Sequence, residues 1–130
     1  MEAFHRDGSI DVLIVEDEID ICYLLSGILR KQHLESSFAT SLFAAQKAFK
    51  VHHPDVLFID NHLPDGYGLD FIQVVKRESP RTIIVMMTAH DTGADEERAM
   101  KHGADYFMGK PFTLAMVINT LHAVLNGKSR

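Results

Sequence analysis

Val56-Leu57-Phe58-Ile59 runs without a polar residue straight into Asp60, and Asn61-His62-Leu63-Pro64-Asp65-Gly66 follows. An apolar run this short, aliphatic and aromatic in make-up, fits a strand buried on both faces, as in a parallel sheet covered by helices on either side. Pro64-Asp65-Gly66 is turn chemistry: Pro presets φ, Asp bonds its own backbone and Gly takes positive φ. Asp60 therefore stands where a buried parallel strand gives way to a loop, the place where ligands gather in open α/β sheets. A carboxylate there either serves a ligand or caps the next helix, and this stretch alone leaves the two readings even.

The rest of the chain repeats the pattern. Residues 10–15 form a first apolar strand that ends in Glu16-Asp17-Glu18. Ile21, Leu24, Leu25, Ile28 and Leu29 then recur at helical spacing, which predicts a helix over 18–31 with acids at its start and Arg30-Lys31 at its end, matching the macrodipole. A short strand over 36–39 precedes a helix capped by Thr40 or Ser41 and running to about 51. After the Asp60 strand, residues 68–78 are helical and Ser79-Pro80 ends them. Residues 82–88 are a fourth strand. A mostly polar helix runs from near Gly93 to His102 with little apolar surface, so it is expected to dock least firmly. Residues 106–108 are a fifth strand, and Thr113 caps a last helix that Asn126-Gly127 ends.

Five strands alternating with five helices mean an α/β fold with a parallel sheet and helices on both faces. The expected architecture is a flavodoxin-like (βα)5 doubly wound sandwich of strand order 2-1-3-4-5, with its switch point between strands one and three. At 130 residues this is one domain. Residues 10–126 are its expected extent, with 1–9 a flexible lead-in and 127–130 a tail or linker stub. The net charge of −5 offers no basic face for nucleic acid. No apolar run approaches the ~20 residues of a membrane helix, and nothing resembles a signal peptide, so a cytoplasmic setting is expected. Cys22 is the lone cysteine and reads as a small buried hydrophobe.

The residues that follow strands one, three, four and five are Glu16 and Asp17, Asp60, Thr88 and Lys110. Three carboxylates brought to one crevice repel, and persist only with a cation or with protonation. Hard oxygen ligands without His or Cys at metal spacing favour Mg²⁺. The eight histidines show no zinc spacing. A cation, the Lys110 ammonium and the Thr88 hydroxyl around one carboxylate make a place for a phosphoryl group on Asp60, since Asp is a covalent nucleophile in phosphoryl transfer.

With these motifs — Val15-Glu16-Asp17-Glu18, Ile59-Asp60-Asn61-His62-Leu63-Pro64-Asp65-Gly66, Met87-Thr88-Ala89 and Lys110-Pro111-Phe112 — the chain resembles the receiver domains of two-component response regulators from Asp11 to about Asn126. The resemblance implies that Asp60 accepts a phosphoryl group from a sensor histidine kinase or phosphotransfer protein. It implies that Glu16, Asp17, Asp60 and the backbone carbonyl of His62 hold Mg²⁺. Thr88 would be the switch hydroxyl, Lys110 the phosphate-binding cation and Phe107 the switch aromatic, with Tyr106 beside it. It also implies a cis Lys110-Pro111 bond and a site left open by the small Ala89. A phosphorylation-dependent homodimer is a candidate assembly, and the chain reads either as a stand-alone receiver or as the N-terminal module of a longer regulator with a DNA-binding (transcriptional) or enzymatic output. The chain departs from the family's common pattern in carrying Phe107 without a hydroxyl and a polar His62.

The expectation is thus a signalling switch that undergoes self-phosphorylation from a donor and autodephosphorylation but is no enzyme on an external substrate. The alternative is a phosphohydrolase using Asp60 on a small phosphate ester. Haloacid-dehalogenase-like phosphatases place a second Asp two residues after the nucleophile, where this chain has His62, and carry an insertion for which 130 residues leave no room. A degenerate receiver is disfavoured because every phosphorylation residue is present. His62 and His90 each follow a site residue by two positions, and both are expected at the mouth of the phosphoryl site, where an imidazole near its pKa can screen the anion or orient water.

Overall fold

The computed structural model describes residues 9–89 and 93–127. The expected lead-in and tail, apart from Ser9 and Gly127, and His90 lie outside the described residues. The elements in order are β1 (Asp11–Val15), α1 (Ile19–Lys31), β2 (Glu35–Ala39), α2 (Leu42–Val51), β3 (Val56–Asp60), β4 (His62–Leu63), β5 (Gly66–Tyr67), α3 (Gly68–Glu78), β6 (Ile83–Thr88), α4 (Gly93–Lys101), β7 (Tyr106–Gly109) and α5 (Leu114–Asn126). The main sheet is parallel throughout, in the order β2-β1-β3-β6-β7. Counting only its own strands, this is the expected 2-1-3-4-5.

Strand periodicity divides the core in two. Leu13, Val15, Leu57, Ile59, Ile84 and Met86 face the side covered by α2, α3 and α4. Val12, Ile14, Val56, Phe58, Val85 and Met87 face the side covered by α1 and α5. Every residue of β3 is therefore buried, which is why its sequence reads as an unbroken apolar run. Burying one Leu, Ile or Phe side chain contributes ~1.5–3 kcal/mol, so this strand alone anchors both layers. The α4 helix buries only Ala99, against four residues of α3. It is the lightly docked helix that its polar composition predicts.

Two features differ from expectation. The segment after Asp60 is not a plain loop: Pro64-Asp65 closes an antiparallel hairpin in which His62 pairs with Tyr67 and Leu63 with Gly66. Gly66 takes φ +148 as expected, and a side chain there would meet Leu42 Cδ1 at 2.8 Å. Asp65 reaches beyond its own turn. Its two carboxylate oxygens accept hydrogen bonds from the Leu42 and Phe43 amides at 2.8 and 2.9 Å. Between Thr40 and Ser41 it is Ser41 that caps α2, its Oγ accepting from Ala44 N at 3.1 Å. The first turn of α2 is thus satisfied partly by its own cap and partly by a residue from the Asp60 loop. Thr113 caps α5 in the same way, accepting from Met116 N at 3.1 Å.

Candidate functional site

The sheet delivers the site residues to one edge. Glu16 and Asp17 leave the end of β1, Asp60 ends β3, Thr88 ends β6 and Lys110 follows β7. Hydrogen bonds continue the ladder past the strand ends: Glu16 N donates to Ala39 O at 3.0 Å, Asn61 N to Met87 O at 3.2 Å and Lys110 N to Thr88 O at 2.9 Å. The side chains are therefore held by backbone rather than by floppy loops.

Carboxylate oxygens of Glu16, Asp17 and Asp60 all lie within 4.8 Å of one another. Lys110 Nζ stands 2.7 Å from Glu16 Oε1 and 3.4 Å from Asp60 Oδ1. Glu16, Asp60 and Thr88 are buried, and Asp17 is exposed. Glu16 Oε2 accepts from Glu18 N at 3.0 Å. Glu16 Oε1 faces the Lys110 ammonium at 2.7 Å and, among the described residues, no other donor. Burial pushes the carboxyl pKa of both Glu16 and Asp60 up; the neighbouring Lys110 ammonium pulls the other way without cancelling the effect. For Lys110, burial alone would lower the pKa, but contact with Glu16 and the field of Asp60 and Glu16 raise it, so the ammonium stays charged.

The buried carboxylates of Glu16 and Asp60 and the exposed Asp17 on the rim form a hard-oxygen donor set. That set fits Mg²⁺, which takes few protein ligands and keeps its waters. Cys22 offers no competing ligand. It is buried, its Sγ donates to Glu16 O at 3.2 Å, and burial pushes its thiol up to about 11.

The remaining expected residues surround this group. Phe107 is half-buried and, with Met86, Thr88 and Ala99, lines a cleft of about 470 Å³ between the hairpin, α3 and α4. His62 is exposed on β4, its ring edge-on to Tyr67 at 5.7 Å. The Lys110-Pro111 bond is cis.

Sequence reasoning missed two residues. Asn61 Oδ1 accepts from Leu69 N at 3.0 Å, and its carbonyl accepts from Gly68 N at 2.8 Å. A side chain on Gly68 would come within 2.5 Å of Asp60 O, so only glycine lets α3 begin against the Asp60 backbone. An Asx side chain bonds nearby amides, but no local pattern points Asn61 to an amide eight residues ahead.

Comparison with known proteins gives a consistent result. The sequence model of the response regulator receiver domain matches residues 12–122. The chain is 32% identical to the probable transcriptional regulatory protein TcrX of Mycobacterium tuberculosis over 120 residues, covering 92% of this chain and 51% of the relative. It is 33% identical to the phosphate regulon transcriptional regulatory protein PhoB of Escherichia coli over 116 residues, covering 88% and 51%. Among solved structures it superposes on the beryllofluoride-activated NtrC4 receiver domain dimer with a TM-score of 0.84 at 32% identity, over 90% of this chain and 97% of that one. The chain thus spans about half the length of the curated relatives it matches.

Proposed function

Because the chain belongs to the response regulator receiver family, a family of two-component signalling modules, we propose that Asp60 is the phosphoacceptor of a signalling switch. The donor is a phosphohistidine of a sensor kinase or phosphotransfer protein. The single observation that carries this reading is the gathering of Glu16, Asp17 and Asp60 within 4.8 Å beside the half-buried Lys110. Asp60 Oδ attacks phosphorus, the bond from phosphorus to the donor's imidazole nitrogen breaks, and the electron pair leaves with the imidazole. Lys110 sets a fixed positive charge against the phosphoryl oxygens, and its ammonium opposes the burial that favours protonated Asp60. Glu16, Asp17 and Asp60, with the backbone carbonyl of His62, would hold Mg²⁺, which supplies positive charge where negative charge accumulates.

The phosphoryl group adds charge and strong acceptor oxygens to Asp60. The Thr88 hydroxyl turns toward them, and Phe107 follows into the cleft it already borders. The lightly held α4 then shifts, because only contacts that differ between two states can bias their equilibrium. Self-association of the phosphorylated form is supported by the dimeric state named for the activated NtrC4 receiver. The half-length match to transcriptional regulators supports a place for residues 10–126 as the receiver module of a longer, cytoplasmic regulator, with 1–9 and 127–130 as its lead-in and linker. The domain itself is expected to bind neither nucleic acid nor membrane; among the described residues no helix is long and apolar enough to cross one.

Intact-mass measurement after incubation with acetyl phosphate and Mg²⁺ tests the assignment. One phosphoryl group per chain is expected, absent in Asp60→Asn; equal labelling of that variant would place the acceptor elsewhere. Continuing release of product from small phosphate esters would favour a phosphohydrolase instead. Structures with and without beryllofluoride should differ from Thr88 to His102, and superposition throughout would remove the switch.

A further inference from the structure

The backbone after Asp60 must hold two things in place: the acceptor and, two residues on, the carbonyl of His62. Asn61 lies between them and makes three hydrogen bonds. Its amide donates to Met87 O at 3.2 Å and so carries the β3–β6 ladder one residue beyond the acceptor. Its carbonyl accepts from Gly68 N at 2.8 Å, and its Oδ1 accepts from Leu69 N at 3.0 Å. The last two close residues 61–69 into a ring. They also satisfy amides in the first turn of α3, whose own cap position, Tyr67, makes no side-chain cap. At the base of that ring Gly68 presses bare backbone against Asp60 O.

We infer that Asn61 is a positioning residue: by tying α3 to the loop, its side chain fixes the Asp60–His62 backbone in the geometry used for Mg²⁺ binding and phosphoryl acceptance. This rests on the function proposed above. A cap that served helix stability alone would behave like Thr113, which bonds an amide at 3.1 Å in α5 and lies outside the carboxylate cluster.

The two caps provide the test. Asn61→Ala and Thr113→Ala each remove one side-chain acceptor from a helix start, so both should lower the melting temperature by a comparable amount. Mg²⁺ affinity by titration calorimetry and the initial rate of phosphorylation by acetyl phosphate should separate them. Asn61→Ala should weaken Mg²⁺ binding and slow phosphorylation by roughly tenfold, the usual effect of losing a group that orients metal ligands. Thr113→Ala should leave both at parental values. Asn61→Asp keeps an oxygen for Leu69 N and should phosphorylate at close to the parental rate when Mg²⁺ is saturating. Should Asn61→Ala not fold, Asn61→Leu, which keeps the volume without the acceptor, carries the same comparison. Parental affinity and rate in a folded Asn61 variant that has lost stability would reduce Asn61 to a helix cap and overturn the assignment. A parent chain that binds Mg²⁺ but takes no phosphoryl group would overturn the proposed function instead, and Mg²⁺ affinity would still decide the role of Asn61.

Discussion

The two ends of the sheet carry the same kind of side chain in opposite circumstances. Where the strands begin, three acids each have their own partner. Asp55 Oδ2 accepts from Asp11 N at 2.8 Å, Asp11 Oδ2 lies 2.7 Å from His52 Nε2, and Asp105 Oδ2 accepts from Ile84 N at 2.8 Å and from Lys76 Nζ at 3.0 Å. Where the strands finish, Glu16, Asp17 and Asp60 gather within 4.8 Å of one another, Glu16 and Asp60 share one lysine, and among the described residues a buried oxygen of Glu16 depends on that lysine alone. Buried polar groups are ordinarily satisfied, so the first end is what folding alone would select. The second is held by the rest of the fold against the preference of its own side chains, the usual mark of a site shaped for a ligand.

Removing the cation should show this contrast most strongly. Mg²⁺ at about 100 times its Kd should stabilise the parent by ~2.7 kcal/mol in urea unfolding, and Asp17→Asn should lose most of that gain. An Asp17→Asn variant that gains as much as the parent would move the metal elsewhere. Asp105→Ala acts at the other end and leaves an amide and an ammonium without their carboxylate. It should reduce stability by ~1–3 kcal/mol while leaving Mg²⁺ stabilisation intact. If Asp105→Ala weakens Mg²⁺ stabilisation, the two ends are not independent.

A subtler contrast lies in pH. Burial raises the folded-state pKa of Glu16 above its ordinary 4.5 and that of Asp60 above its ordinary 3.8. Between those values and the raised ones the folded chain binds more protons than the unfolded chain, so metal-free stability should fall as pH rises through that interval. Asp60→Asn should flatten the decline, as read from urea midpoints in chelator; an unchanged slope would mean that Asp60 is not held against its preference. The smallest expected effect belongs to His62, whose ring stands edge-on to Tyr67. His62→Met should alter the lifetime of phospho-Asp60, read as decay of the phosphorylated mass. An unchanged lifetime would make this side chain a bystander.

Much of the fold was legible because burial on both faces leaves strands such as β3 with no polar position to blur their pattern. The gathering of the strand-end residues was legible for a related reason: Glu16, Asp60, Thr88 and Lys110 each come at the close of an apolar run, with Asp17 next to Glu16, and topology brings those points together. The β4–β5 hairpin was not legible, since strands of two residues show no period. Nor were the reaches of Asp65 to α2 and of Asn61 to α3. Local rules assign an Asx side chain to its own turn, whereas Asp65 bonds amides far back in the chain and Asn61 one eight residues ahead.

Those two reaches make the length of the loop a fixed dimension. Surface connections are where chains most readily gain and lose residues, because little depends on their span. Here Asn61 and Asp65 stand at set offsets from Asp60 and serve two different helices. One residue inserted between them would pull Asp65 from the amides of Leu42 and Phe43 or swing Asn61 from Leu69. Insertion and deletion are closed to this loop unless the starts of α2 and α3 are rebuilt in the same step.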